Sequence, residues 1–286
     1  MIGSGSFGHV YDCKHLKSGQ LYAIKKFKKK YSNKKQAFET REVKILKRFE
    51  EHAKSKNGEY CPYILKAEKI EYENRKLFIV FEKMDINLSD WIKQKGQKGM
   101  VKLDEEDIKT VMRQILIGIK FLHDELGIMH RDLKPENIMV NLSPLHAKII
   151  DFGTCKDLTT ETGPHTSYVS TRWYRAPECV LRSHHYTFLS DIFALGCIMA
   201  ELYLQRPLFP GANELDQLDR IFQVIGTPKL DQWREGYRLA EKREIKFNEH
   251  QKKNLVKVLG GRISNDALES LKMMLKISTQ KRASAA

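Results

Sequence analysis

The sequence predicts an α+β chain in two lobes, strand-rich over residues 1–82 and helix-rich over about 83–286. Three observations predict it. Between residues 5 and 85 the apolar residues come in short alternating stretches, the pattern of half-buried strands. From about Asn87 they recur at three- and four-residue steps, the pattern of helices that bury one face. The change is complete between residues 82 and 87, so it marks a lobe boundary rather than a flexible linker, and no internal repeat is present.

The elements follow in order. The string Gly3-Ser4-Gly5-Ser6-Phe7-Gly8-His9-Val10 leads into Tyr11-Asp12-Cys13 and the turn residues Lys17-Ser18-Gly19-Gln20, which reads as strand and hairpin turn. Leu21–Phe27 and Leu77–Phe81 read as further strands. A helix is expected over Ala37–Phe49, with apolar residues at 38, 43, 45, 46 and 49, followed by a polar loop over Lys54–Glu59. Ile108, Val111, Met112, Ile115, Ile119 and Leu122 lie on one face of a long helix. Ser190–Leu204 is apolar almost all round and belongs in the centre of the larger lobe.

Bulk properties narrow the function. The chain has 286 residues, enough for one large or two small domains, and 41% are hydrophobic. No apolar run approaches the roughly eighteen residues of a membrane span, and the N-terminus lacks the basic-then-apolar order of a secretory signal. The five cysteines (Cys13, Cys61, Cys155, Cys179 and Cys197) are odd in number and widely spaced with no CxxC pair, which predicts reduced thiols and hence a cytoplasmic place, with the nucleus as second candidate. The net charge of +14 raises the question of nucleic acid, and Lys25-Lys26-Phe27-Lys28-Lys29-Lys30 with Lys34-Lys35 is the densest basic cluster. No zinc-finger spacing or RNP-like aromatic string accompanies it, which speaks against nucleic-acid recognition. A solvated loop around one functional lysine is the plainer reading; a nuclear-import or acidic-partner patch is the other.

Two strings carry the chemistry. His130-Arg131-Asp132-Leu133-Lys134-Pro135-Glu136-Asn137 precedes Asp151-Phe152-Gly153. Together they supply an acid able to orient a hydroxyl, a lysine able to reach a phosphate, and two oxygen ligands for magnesium. Phosphoryl transfer needs that set, because its transition state asks for positioning and charge neutralisation more than covalent chemistry. With the glycine string and Tyr22-Ala23-Ile24-Lys25, the chain resembles the eukaryotic protein kinases over essentially its whole length. The resemblance implies a small antiparallel β-sheet lobe with one helix and a larger, mainly helical lobe.

It also implies a site. Ile2, Gly3, Ser4, Gly5, Ser6, Phe7 and Gly8 would cover ATP, with the glycines letting the backbone approach its phosphates. Lys25 would contact the α- and β-phosphates and be held by Glu42. Asp151 and Asn137 would bind Mg2+, Asp132 would take or orient the substrate hydroxyl, and Lys134 would neutralise the moving phosphoryl group. Val10, Ala23 and Met139 would sandwich adenine, Phe81 would close the pocket behind it, and Glu82-Lys83-Met84 would form the hinge. His130, Phe152, Leu46 and Ala67 would stack between the lobes, and Glu178 of Ala176-Pro177-Glu178 would pair with Arg282.

Thr166-Ser167-Tyr168-Val169-Ser170-Thr171-Arg172-Trp173-Tyr174-Arg175 and Ile225-Gly226-Thr227-Pro228 are similar to the mitogen-activated kinases and their CMGC relatives. Phe81-Glu82-Lys83-Met84-Asp85-Ile86-Asn87-Leu88 and Asn213-Glu214-Leu215-Asp216-Gln217 resemble above all the male-germ-cell-associated and MOK-type kinases. The likeness implies serine/threonine specificity on protein substrates, an upstream activating kinase, and a monomer. It implies proline direction, with Arg172 satisfying a backbone carbonyl. It implies activation by phosphorylation at Thr166, met by Arg41, Arg131 and Lys156, and at Tyr168, met by Arg172 and Arg175. Ser167 stands where relatives carry an acid, Ser170 where they often carry alanine, Lys156 where they carry arginine, and Phe193 where they carry tryptophan. A catalytically silent scaffold of the same fold is the alternative, opposed by intact Lys25, Asp132, Asn137 and Asp151. Only two residues precede the glycine string and the chain stops soon after Arg282, so truncation of the first strand and last helix is expected, leaving Leu268, Leu271 and Leu275 exposed.

Overall fold

The structure is a computed structural model that describes residues 1–5, 7–97, 102–160, 172–183 and 187–285. The small lobe is built on an antiparallel five-stranded sheet of β1 (Gly3–Ser4), β2 (Gly8–Lys14), β3 (Leu21–Phe27), β4 (Ala67–Glu73) and β5 (Lys76–Glu82), in the order β1-β2-β3-β5-β4. Alternation along β3 and β5 sends Phe27, Leu77, Ile79 and Phe81 into the core. Gly8 is required by this sheet, whatever binds beside it. A Cβ there would stand 2.6 Å from the Lys26 carbonyl, whereas one on Gly5 would meet nothing within 4 Å.

The helix expected over Ala37–Phe49 is two helices. Asn33 caps α1 (Lys34–Phe38) through the Gln36 N–H, and α2 (Arg41–Ser55) starts afresh after Thr40, whose ψ of 145° is extended. The separation lets α2 turn Val43, Ile45, Leu46 and Phe49 into the core without carrying the lysines of α1 with them. α2 takes only Lys54 and Ser55 from the expected Lys54–Glu59 loop, whose remainder is turn and coil. β4, absent from the sequence expectation, is the outer strand of the sheet.

The large lobe begins with β6 (Ile86–Asn87), α3 (Leu88–Gly96) and α4 (Glu105–Lys120). Three acids in the first turn of α4 suit the helix dipole, and the predicted face from Ile108 to Leu122 is buried. α4 continues into one π-helical turn, Phe121–Glu125. β7 (Ile128–Met129), β8 (Ile138–Leu142), β9 (Leu145–Ile149) and β10 (Lys156–Asp157) follow. They form a three-stranded sheet β6-β8-β9 and a two-stranded pair β7-β10, strands that the helix-rich reading beyond Asn87 did not foresee.

Then come α5 (Pro177–Val180), α6 (Leu189–Leu204), α7 (Glu214–Ile225), α8 (Arg234–Glu241), α9 (Leu255–Val258) and α10 (Asn265–Met274). α6 is buried on every side from Ser190 to Tyr203. Gly196 lets α10 dock on it, since a Cβ there would lie 2.8 Å from Leu275. Leu268, Leu271 and Leu275 are therefore buried, at 8%, 0% and 2% exposure, not exposed as expected from the chain end. One continuous apolar core crosses both lobes. No helix among the described residues is long and apolar enough to cross a membrane.

Candidate active site

A cavity of about 290 Å³ opens between the lobes. Ile2, Gly3, Gly5, Phe7, Gly8, Val10 and Ala23 line it from the small sheet, Phe81, Glu82, Lys83 and Met84 from the hinge, and Asn137, Met139 and Asp151 from the large lobe. Of the residues expected to cover the nucleotide, Ser4 does not reach the lining and Ser6 lies outside the described residues. Leu65, Asn87, Glu136, Ile150 and Phe152 also line it. Beside it Glu82 pairs with Lys148 of β9, and Lys83 reaches Asp12 of β2 at 3.0 Å, so hinge side chains touch both lobes.

Three charged groups meet at the inner wall. Lys25 Nζ lies 2.8 Å from both carboxylate oxygens of Glu42 and 3.0 Å from Asp151 Oδ1. β3 brings Lys25, α2 brings Glu42, and the turn after β9 brings Asp151. Burial opposes the Lys25 charge, yet the two carboxylates outweigh it and hold its pKa above the ordinary value. Burial likewise works against an ionised Asp151, but Lys25 overcomes it and the pKa falls below the usual carboxylate value. At Glu42, wholly enclosed, burial wins and the pKa rises. With all three ionised the cluster carries one net negative charge beside the cavity.

The second constellation sits on the loop between β7 and β8. Lys134 Nζ donates to Asp132 Oδ2 at 2.9 Å, and Asn137 Nδ2 donates to the same oxygen at 3.0 Å and to the Asp132 carbonyl at 2.7 Å. Asp132 is 8% exposed. Asn137 belongs both to this cluster and to the cavity wall, so the acid and the interlobe cavity share a side chain. His130 Nδ1 accepts the Asp132 N–H at 3.3 Å and Nε2 donates to the Ile150 carbonyl at 2.9 Å, a pair of contacts that puts its proton on Nε2.

The loop is held from below by a residue the sequence reading passed over. Asp191 of α6, 2% exposed, accepts the backbone N–H groups of His130 at 2.8 Å and Arg131 at 2.9 Å, and also contacts His123 Nε2 at 2.9 Å. Its position two residues before Phe193 is the one sequence signal that pointed to it. Arg131 and Asp151 both hold left-handed backbone, with φ of 72° and 63°. Such residues cost about 1–3 kcal/mol each and persist where their surroundings fix them.

Leu46, Ala67, His130 and Phe152 are all buried, as expected for a stack between the lobes. Phe152 meets His130 edge-on at 5.9 Å, but its nearest ring is Phe49 at 4.9 Å, an interlobe contact the sequence did not single out. Arg48 of α2 pairs with Asp157 of β10, joining the helix that carries Glu42 to the strand after the Asp151 turn.

Thr166 and Tyr168 lie outside the described residues. Of their expected partners, Arg41 opens α2, Arg131 and Lys156 are buried, and Arg41 shares a groove with Asp157. Arg172 Nη1 reaches a backbone carbonyl, that of Ala212, at a long 3.5 Å, and Trp173 Nε1 donates to the Gly211 carbonyl at 3.1 Å. Tyr174 donates to Glu201 at 2.8 Å, and burial pushes the Glu201 carboxyl up to about 7. Arg282 grips both Glu178 oxygens, at 2.6 and 3.0 Å, and donates to the carbonyls of Lys276, Leu189 and Ile277, with its guanidinium 5.2 Å from the Phe193 ring centre.

Comparison with known proteins agrees with this geometry. The profile of the family described as "Protein kinase domain" matches residues 1–286. The chain is 41% identical to serine/threonine-protein kinase ICK of Mus musculus over 284 residues, covering 99% of this chain and 42% of that protein. It is 40% identical to serine/threonine-protein kinase MAK of Homo sapiens, covering 99% and 43%. Cyclin-dependent kinase F-3 of Oryza sativa subsp. japonica is 37% identical, over 96% of this chain and 58% of that protein. The chain thus spans about two fifths of the length of ICK and MAK.

Proposed function

The chain belongs to the protein kinase family, and from that premise we propose that it transfers the γ-phosphate of ATP, with Mg2+, to serine and threonine hydroxyls of proteins. One observation carries the reading: the Lys25–Glu42–Asp151 cluster and the Asp132–Lys134–Asn137 cluster are both assembled and meet at one cavity. The donors fit the metal. Mg2+ takes hard oxygen ligands, one or two of them carboxylates, and completes its shell with phosphates and water. Asp151, kept ionised by Lys25, and the amide oxygen of Asn137 are of that kind. Asn137 commits its nitrogen to Asp132, which leaves that oxygen for an ion.

The residues then divide the work. Lys25 binds phosphate oxygens and Glu42 keeps its ammonium in place. Asp151 and Asn137 would hold the magnesium, which supplies charge neutralisation at the phosphates when bound. Asp132 orients the acceptor hydroxyl and takes its proton. Lys134 neutralises charge on the transferred group. Val10, Ala23 and Met139 enclose the base, and Phe81 limits the depth of the cavity. Proline direction and a Thr166/Tyr168 phosphorylation switch belong to the same proposal. The likeness to ICK and MAK supports both, and the placement of Arg41, Arg131 and Lys156 supports the switch. A lysine at 156 gives a point contact where arginine would give a fork, so the switch is softer.

A radiolabelled ATP assay on a basic protein tests the reading, with Asp132→Asn as control. Transfer by the wild type, lost in the variant, is expected; equal labelling by both would reject the assignment. For the switch, phosphatase-treated wild type is compared with Thr166→Ala and Tyr168→Phe before and after incubation with ATP. Equal activity in all three, with no phosphate gained, would remove it.

A further inference from the structure

We infer that the lysine-rich edge of the small lobe, from Lys26 through α1, is a docking surface for an acidic polypeptide segment. Between Lys25 and Phe38 the sequence has seven lysines and no aspartate or glutamate. Lys25 is engaged in the cavity. Among the described residues the other six form no ion pair, because the neighbouring acids are taken: Glu39 pairs with Lys44 at 2.6 Å and Glu71 with Lys69 at 2.8 Å. Lys28, Lys29, Lys30, Lys34 and Lys35 are exposed. Like charges so close repel, a cost that an arriving counter-charge would relieve.

The lysines are arranged rather than merely crowded. The Lys26 ammonium lies 5.7 Å from the Phe78 ring centre, Lys29 5.5 Å from Tyr31, and Lys34 and Lys47 5.3 and 4.9 Å from Phe38 on its two approaches. Resting on rings, the side chains surrender less freedom when an anion binds. Lys28 Nζ donates to the Gly5 carbonyl at 2.7 Å and its backbone N–H to Phe7 at 3.0 Å, so the surface adjoins the glycine string.

The same details choose the partner. Single-stranded nucleic acid binds basic grooves that also offer bare aromatic faces to bases. Here each of those rings already carries an ammonium. Guanine edges and phosphates favour the bidentate fork of arginine, and no arginine occurs between Lys25 and Phe38. Compact ammonium groups on flexible stems suit a run of aspartate or glutamate carboxylates instead. The choice of a polypeptide rests on the protein-kinase reading, but binding can be measured without catalysis.

The test is fluorescence anisotropy of a labelled decaglutamate peptide against the full chain, at about 50 to 300 mM NaCl, where screening of exposed charges sharpens. The docking variant carries Lys29→Glu, Lys30→Glu, Lys34→Glu and Lys35→Glu. A control carries four reversals on exposed lysines of the large lobe: Lys242→Glu, Lys246→Glu, Lys253→Glu and Lys257→Glu. We expect salt-sensitive binding by wild type and control, and at least about a tenfold loss in the docking variant with its melting temperature kept. With transfer as readout, a decaglutamate extension on a neutral acceptor peptide lowers KM for wild type and control only, while all three phosphorylate the unextended peptide alike. Equal losses in both variants, no binding at low salt, or tighter binding of a duplex DNA or phosphatidylserine vesicles than of the peptide would each overturn the proposal. Absence of all transfer alongside intact peptide binding would count against the catalytic reading alone.

Discussion

Two of the buried charge clusters among the described residues are built on opposite plans. At Glu178–Arg282 one cation meets one anion. Three backbone carbonyls and an aromatic face satisfy what remains, and Arg282 side-chain exposure is zero. At Lys25–Glu42–Asp151 one cation faces two anions, Asp151 is a quarter exposed, and the surplus charge looks into a cavity. The first cluster is closed and can only hold the fold. The second is left short of positive charge where a metal–nucleotide would supply it. In this molecule the closed pair and the open cluster differ in completeness of pairing as well as in burial.

The comparison can be broken at its strongest point. Arg282→Ala leaves the Glu178 carboxylate buried and unpaired, which should destabilise by about 3–5 kcal/mol. Thermal melting should then fall by about 10 °C, and a shift near one degree would put this pair in the same class as surface pairs. Asp151→Asn should do the reverse, lowering turnover by about a hundredfold or more while the melting temperature hardly moves. If it melts as early as Arg282→Ala, the contrast is lost.

Glu201 sharpens the picture, since it is buried against the Tyr174 hydroxyl, with Lys93 acting on it only at a distance and no ion pair among the described residues. Burial pushes its folded pKa up to about 7, above the ordinary glutamate value of 4.5, so the native state holds its proton longer than the unfolded chain. Stability from this group is full below the unfolded value and drains as pH rises through about 7. Glu201→Gln, which can still accept from Tyr174, should therefore be near neutral at pH 4.5 and stabilising at pH 8, by at most about 3 kcal/mol. Denaturant melts at the two values check it, and a gain larger in acid would refute the sign. Smallest of all, Lys44→Ala removes an exposed partner of Glu39 and should leave the melting curve unchanged within error.

The catalytic strings were legible because phosphate chemistry demands fixed residue types at short spacing, and the lobe boundary because periodicity changes there. Other features had no local signal. Phe38 continues the apolar steps of α2, so only the extended Thr40 reveals two helices. Ile138–Leu142 and Leu145–Ile149 are short apolar runs that a helical neighbourhood disguised. The role of Asp191 depends on backbone donors some sixty residues away. Burial of Leu271 and Leu275 depends on the notch at Gly196, again a distant partner. Gly8 shows a right residue with an added reason, since the sheet requires it before any phosphate does.

The Asp191 carboxylate has one further consequence. Position in a protein is inherited through joints, and each loose joint adds its own scatter to those before it. Reacting groups must be held to within about 0.5 Å. Asp132 follows directly on two residues whose backbone donors end on one rigid oxygen pair, and that pair is fixed to a helix buried on all sides. Few joints therefore separate Asp132, the acid of the proposed reaction, from a helix packed on all sides. On the proposed reading, loops that meet acceptor proteins can differ widely in length and composition without blurring where the hydroxyl would arrive.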